Sequence, residues 1–166
     1  MSDQNEQIPL SDELLSVMRN SGRYAQQLRE PFITARAILL ALLDDPQVGE
    51  AIAPFVPRDK VVALQPGDDL RLSATRLPDA GLSSGERAAM PRYDTLAFKM
   101  PEGTASVWLS REAFSIFTEG ANRAVGERYL PKHLAMGMAA EAIRTPGVLA
   151  TLYVEPGKIT DAIFNL

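Results

Sequence analysis

The chain has 166 residues, of which 46% are hydrophobic and 23% charged, a composition typical of a globular protein with an ordinary core. Its net charge of -4 disfavours nucleic acid as a partner, because a surface that binds nucleic acid needs clustered Lys and Arg. The absence of cysteine excludes disulfides, thiolate metal sites and a cysteine nucleophile. No apolar run reaches the roughly 20 residues of a membrane span, and the polar N-terminus does not resemble a signal peptide. We therefore expect a cytoplasmic protein without membrane or nucleic-acid partners.

One pattern in the sequence occurs twice. Leu10–Val17 (LSDELLSV) has a counterpart in Leu109–Ile116 (LSREAFSI). The apolar segments that follow, which begin at Ile33 and Tyr129, also correspond. Such internal similarity indicates two copies of one supersecondary unit that pack against each other.

The first copy is predicted to contain four helices. Ser11 is expected to cap the first, since Ser is a favoured N-cap and two acidic residues follow it. The second begins after Thr34 and is almost entirely apolar, which is typical of a central, covered helix. Asp45 and Pro46 supply the cap and the first-position proline of a third helix, and Pro57 opens a fourth.

The second copy repeats this plan. Ser110 is expected to cap its first helix, and Pro131 begins the central one. Thr145 and Pro146 are expected to reproduce the cap and proline of the third helix. Pro156 opens the last helix. The caps therefore agree between the two copies at each matching position.

The segment between the copies, residues 66–108, has a different pattern. Residues 79–85 have the composition of a loop, and Thr95–Met100 alternates apolar and polar residues before a turn, which predicts a small β-hairpin. The predicted architecture is mostly α-helical, with two pseudo-twofold-related four-helix repeats. We expect a single domain, residues 1–166, with its first repeat at 10–65 and its second at 109–166.

The doubled pattern resembles the N-terminal repeat domain of the Clp AAA+ unfoldases. Both repeats open with an apolar residue, a Ser cap and charged residues, at Leu10 and at Leu109. The segment Ile33–Leu43 matches the apolar positions of the family's second helix, Ile-Gly-Thr-Glu-His-Leu-Leu-Leu-Gly-Leu-Leu, and Tyr129–Ala139 keeps its His-Leu and its Gly. The resemblance implies a domain that docks adaptors and substrates through its helix pairs and the groove between its repeats.

The sequence has no Gly-x-x-x-x-Gly-Lys-Ser/Thr phosphate loop, the motif that cradles ATP phosphates in the family's ATPase modules. We expect a stand-alone, non-enzymatic binding module that does not bind ATP and uses no cofactor or metal. The expected partner is a protein: a Clp-type ATPase, an adaptor or a protease substrate in protein quality control. The alternative is an unrelated helical scaffold or signalling interaction domain that shares the repeat.

The expected partner contacts include a pair of cations. In some members of the family, a Glu near the start of the second helix recognises a phosphorylated arginine. The matching residues here are Arg36 and Lys132, which would repel a guanidinium, so we expect an acidic group on the partner. The alternative is that both cations are solvated at helix starts. The other expected partner contacts are apolar: Leu10, Leu109, Phe98 and Trp108.

Two patterns that resemble catalytic or metal sites are interpreted as structural. Gly81–Gly85 has the Gly-x-Ser-x-Gly pattern of hydrolases and is followed by Asp94 and His133, but no buried strand precedes it. His133, the only histidine, is expected to be structural, as the resemblance implies. The adjacent Asp44 and Asp45 are expected to be solvated, because no further metal ligands recur at coordination spacing.

Overall fold

The fold was analysed in a computed structural model that describes residues 10–30, 32–64, 94–100, 103–124 and 128–166, with the backbone alone for 94–100 and 103–108. The described helices are α1 Asp12–Gln27, α2 Ala35–Asp44, α3 Pro46–Ile52, α4 Arg58–Val62, α5 Arg111–Arg123, α6 Pro131–Arg144, α7 Val148–Thr151 and α8 Pro156–Phe164. The described strands are β1 Asp94–Met100 and β2 Gly103–Leu109. None of these helices has the length and apolar character needed to cross a bilayer. The predicted mostly helical architecture with a small hairpin is confirmed.

Three predicted helix caps are present. The Ser11 hydroxyl accepts a hydrogen bond from the backbone amide of Leu14 at 3.0 Å, at the start of α1. The hydroxyl of Ser110 does the same for the amide of Ala113 at 3.2 Å, at the start of α5. Asp45 caps α3 by accepting from two backbone amides of its first turn. These short side chains satisfy amides that have no partner within their helices.

The start of α7 differs from the prediction. Thr145 is the C-cap of α6 and provides no side-chain cap to α7, so the predicted helix start at Thr145 and Pro146 is wrong. Instead, the backbone amide of Val148 donates to Glu112 Oε2 of α5 at 2.9 Å. This carboxylate replaces the local cap, since negative charge is favourable at a helix N-terminus. Gly147 makes room for it, because an added Cβ would collide with the Glu112 carboxylate.

The two central helices form the middle of the molecule. α2 packs against α1, α3 and α4, and α6 packs against α5, α7 and α8. α2 is buried continuously from Ala35 to Leu42, which confirms the predicted covered helix. The repeats meet where α2 contacts α5 and where α3 contacts α6 and α8. Buried side chains from both repeats therefore belong to one continuous core.

Two short parallel bridges connect the repeats reciprocally. Leu10 pairs with Tyr129, and Leu109 pairs with Ile33. The amide of the serine after each leucine donates to the carbonyl across the bridge, at 3.1 Å in the first and 2.9 Å in the second. Leu10 and Leu109 are equivalent in the repeat, as are Ile33 and Tyr129. The two bridges are thus formed by equivalent residues of the two repeats, as pseudo-twofold packing requires.

The hairpin is joined to both repeats through its second strand. β1 and β2 are antiparallel, with Asp94 opposite Leu109 and Met100 opposite Gly103. Both strands contact α5. A two-stranded hairpin is marginal in water by itself, so this contact supports it. Leu109 also forms the bridge to Ile33, which ties the hairpin to the first repeat.

Helices α5 and α6 approach each other closely at two glycines. A Cβ on Gly137 would lie 2.5 Å from the backbone nitrogen of Gly120 and from the carbonyl oxygen of Ile116. A Cβ on Gly120 would collide with the hydroxyl of Tyr129. That hydroxyl donates to the Phe117 carbonyl at 2.7 Å. Both glycines are therefore needed for the packing of the second repeat.

Candidate functional site

A pocket with a volume of about 490 Å³ lies between the two repeats. The starts of α1 and α3 contribute from the first repeat, and the start of α6 contributes from the second. Its volume is within the roughly 300–1,000 Å³ common for ligand sites. We call it the inter-repeat pocket. Its lining residues are Glu13, Asp45, Pro46, Gln47, Val48, Leu130, Pro131, Lys132 and Leu166.

Three charged side chains line the inter-repeat pocket, Glu13, Asp45 and Lys132, and none of them forms an ion pair within the described part of the chain. Lys132 is half-buried in the first turn of α6, and Glu13 is exposed in the first turn of α1. Asp45 differs, because its Oδ2 accepts from the amides of Gln47 at 3.1 Å and Val48 at 2.9 Å. The pocket therefore presents one cation and two carboxylates beside apolar surface, and one of the carboxylates, Asp45, also caps α3.

Arg36 occupies the position in α2 that Lys132 occupies in α6, but its side chain is committed within the chain. The guanidinium donates to Glu30 Oε2, at 2.9 Å from Nη2 and 3.2 Å from Nε. Nη1 donates to the Leu64 carbonyl at 2.7 Å. The Arg36 side chain is only 9% exposed. The prediction that Arg36 contacts a partner is therefore corrected, and so is the alternative that it is solvated: it cross-links α2 to the end of α4.

The two leucines that open the repeats lie away from the inter-repeat pocket. Leu109 is fully buried in the core, so its predicted role as a partner contact is corrected. Leu10 is half-buried and packs against the same core. Both residues form the bridges between the repeats. Their matching positions in the two repeats thus reflect packing between the repeats.

The aromatic candidates of the hairpin occupy separate positions. Phe98 lies in β1 opposite Ala105, and Trp108 lies in β2 opposite Thr95. By this register the two residues belong to opposite faces of the hairpin, because positions alternate along a strand. They remain predicted partner contacts. On α5, Phe117 is buried and Phe114 packs against the core.

His133 has the structural role that was expected. Its Nδ1 accepts a hydrogen bond from the backbone amide of Leu130 at 2.9 Å, which caps α6. Asp44 is not simply solvated, since it forms an ion pair with Arg58 and accepts from the Tyr24 hydroxyl. No three metal-ligating side chains cluster anywhere in the described ranges. The Gly-x-Ser-x-Gly pattern at 81–85 lies outside those ranges.

Sequence reasoning missed Glu13 and Gln47 as parts of the pocket. The repeat contains a usable signal for Glu13, because its equivalent is Glu112, the carboxylate that caps α7. In the first repeat Asp45 performs that capping for α3. The equivalent carboxylate at Glu13 is therefore not needed for a cap and faces the pocket. Gln47 gives no comparable signal in the sequence.

Compared by sequence, the chain matches no protein-family model and no curated protein. Compared by structure, it is similar to the Hsp104 N-terminal domain from Candida albicans, with a TM-score of 0.52 and 9% sequence identity over 94% of this chain and 89% of that one. It is also similar to the N-terminal domain of the caseinolytic protease associated chaperone ClpD from Arabidopsis thaliana. There the TM-score is 0.51 and the identity 16%, over 98% of this chain and 97% of that one. The chain has the fold of Clp and Hsp104 N-terminal domains, as its repeats predicted.

Proposed function

We propose that this chain is a protein-docking module that binds a segment of a partner polypeptide in the inter-repeat pocket. The observation that carries the proposal is the pocket, which both repeats build and which contains Lys132 and Glu13 without ion pairs in the described part of the chain. Apolar surface and a few convergent polar groups are the usual make-up of a binding site. The shared fold with chaperone N-terminal domains supports the same interpretation.

The proposed setting is protein quality control in the cytoplasm. The partner would be a Clp-type ATPase, an adaptor or a protease substrate, and the chain would act by binding and not by catalysis. His133, the group best suited to acid–base chemistry at neutral pH, instead caps α6 through Nδ1 and is buried, which supports a non-catalytic role. We further propose that residues 1–166 act as one domain.

The stoichiometry is expected to be one partner segment per chain. A pseudo-twofold repeat would place a second site at the equivalent groups, Arg36 and Glu112, but each of these already has partners within the chain. Arg36 pairs with Glu30 and the Leu64 carbonyl, and Glu112 caps α7. The equivalent groups in the inter-repeat pocket, Lys132 and Glu13, have no such bonds in the described ranges. We therefore expect a single docking site.

A pocket-filling substitution tests the docking site. Gln47 is exposed and lines the pocket, so Gln47→Trp should obstruct it without disturbing the core. Gln26→Trp makes the same change at an exposed position of α1 outside the pocket. Peptides selected from a random phage-displayed library on the wild-type chain should lose binding to the first variant and keep it with the second. Equal binding to both variants would contradict docking in the pocket.

The proposed setting needs a separate measurement. The wild-type chain and both Trp variants are used to capture proteins from a lysate, which are quantified by mass spectrometry. A Clp ATPase, an adaptor or protease substrates should be enriched on the wild type and on Gln26→Trp, relative to Gln47→Trp. Enrichment of unrelated signalling proteins by the same criterion would favour a scaffold domain and reject the quality-control setting.

A further inference from the structure

We propose that Lys132 binds a carboxylate of the partner polypeptide, in the position that Glu30 occupies beside Arg36 in the first repeat. The proposal rests on the docking role of the inter-repeat pocket and names the group that the pocket recognises. Two equivalent positions of the same chain point to this group, Arg36 in the first repeat and Lys132 in the second. At Arg36 the chain's own Glu30 forms the ion pair, whereas no carboxylate of the described residues pairs with Lys132; we call these the occupied site and the open site.

The two cations are equivalent by position and by the backbone that leads into them. Arg36 is the second residue of α2, and Lys132 is the second residue of α6. Ile33 and Tyr129, which form the two bridges between the repeats, lie three residues before them. The backbone that leads into each cation is therefore held by the same contact with the other repeat.

The occupied site shows what a cation at this position binds. Glu30 Oε2 accepts from the Arg36 guanidinium, and Glu30 Oε1 accepts from the Thr34 hydroxyl at 2.7 Å. The carboxylate lies at the N-terminal end of α2, where the partial positive charge of the helix also favours an anion. A carbonyl at the end of α4, that of Leu64, completes the coordination of Arg36.

Within the described residues, the open site has no counterpart of the Glu30 carboxylate. The residue that corresponds to Glu30 is Gly126 in sequence, and the neighbouring Glu127 lies outside the described residues. Lys132 is half-buried and forms no ion pair in the described ranges. A partly desolvated ammonium gains from a counter-ion. Because the N-cap here is Leu130, which has no hydroxyl, a bound carboxylate would depend chiefly on Lys132.

The pocket also restricts what accompanies the carboxylate. Leu130, Pro131 and Leu166 line it together with Lys132, so an apolar side chain next to the acid would be buried there. Glu13 and Asp45 add two negative charges to the same lining, which disfavours a second acid in the ligand. The expected ligand of the inter-repeat pocket is therefore a peptide segment with one Asp or Glu flanked by apolar residues.

The test combines library selection with matched charge variants. Peptides selected from a random phage-displayed library on the wild type should share an acid beside an apolar residue. In fluorescence polarisation with a synthetic selected peptide, replacing that acid by its amide should weaken binding about tenfold, and Lys132→Glu should do so at least as strongly. Lys132→Arg should stay within about threefold, because the charge is kept. Lys60→Glu, the same charge change at an exposed position of α4, should change binding less than about twofold.

Folding does not obscure this test. Lys132→Glu places an acid in the first turn of α6, where the favourable helix dipole offsets its repulsion from Glu13 and Asp45, so the melting temperature should change little. Selected peptides without acids that bind Lys132→Glu normally but fail on Gln47→Trp would overturn the carboxylate site and leave the docking role intact. Peptides that bind Gln47→Trp normally would overturn the docking role itself. If acidic peptides bind Glu127→Gln more than about threefold more strongly than the wild type, the chain's own Glu127 competes for Lys132. That result would also overturn the proposal.

Discussion

Replacing Arg36 by Met tests whether this cation is an internal cross-link. Met keeps most of the apolar stem but removes the guanidinium that contacts Glu30 and the Leu64 carbonyl. The side chains of Arg36 and Glu30 are 9% and 7% exposed, so their ion pair is buried. Removing one partner of a buried pair typically costs about 3 to 5 kcal/mol, because the other charge stays desolvated. For a chain of this size, that loss lowers the melting temperature by about 6 to 20 °C.

The matched control is Arg58→Met. Arg58 forms an ion pair with Asp44, but these side chains are 43% and 36% exposed. Solvent screens such a pair, so its loss should cost no more than about 1 kcal/mol. The two variants therefore make the same chemical change in a buried and in an exposed pair.

The assay is urea denaturation followed by far-ultraviolet circular dichroism, which gives the free energy of unfolding of each variant. The double variant Glu30→Gln with Arg36→Met should cost less than the sum of the two single changes, because it leaves no unpaired charge. A loss for Arg36→Met no larger than that for Arg58→Met would refute the assignment. Arg36 would then return to the set of candidate partner contacts.

Three further changes test the fold of the two repeats. Leu39→Ala in the buried α2 should lower the free energy of unfolding by about 2 to 5 kcal/mol in urea denaturation, and a neutral result would reject the central position of this helix. Gly137→Ala should lower the free energy of unfolding by about 1 to 3 kcal/mol, because the added methyl meets the backbone of α5. The control, Gly22→Ala in α1, has open space around it and should be neutral or stabilising. Equal effects of the two changes would contradict the close approach of α5 and α6. Burial raises the pKa of Tyr129 above its ordinary value of 10.0, so the folded chain keeps a proton that the unfolded chain loses. The contribution of the buried phenol to the free energy of unfolding is fully present below about pH 10 and falls above that pH by up to about 1.4 kcal/mol per pH unit. Tyr129→Phe should reduce this alkaline loss of stability in a pH series. Parallel stability curves for the wild type and the variant would contradict this assignment.

The helices could be predicted because their signals are local. Ser11, Ser110 and Asp45 each satisfy amides within three residues, so their residue types and positions suffice to predict the cap. The apolar run of α2 likewise indicates burial on every side without knowledge of the neighbours. The repeated sequence pattern then predicted the pairing of the two units.

The failures concern contacts between distant residues. The cap of α7 comes from Glu112, which is 36 residues before Val148, and no local pattern indicates it. Arg36 looked like a surface cation because one of its partners, the Leu64 carbonyl, is 28 residues away. Its other partner, Glu30, is only six residues away and was a local signal that sequence reasoning overlooked. The same long-range packing decides which cation remains available for a partner. Lys132 and Arg36 match in position, but the repeats differ in sequence at Glu30 and Gly126 and in the tertiary contacts around each cation.

The most direct test of the docking account is to map a bound peptide by NMR. A peptide selected on the wild-type chain is titrated into ¹⁵N-labelled protein, and the backbone amide shifts are followed. The account predicts that the largest changes cluster around the inter-repeat pocket, at Glu13, Gln47 and Lys132, while Arg36 changes little. Changes confined to β1 and β2, with none at the pocket, would contradict the account and place the partner on the hairpin.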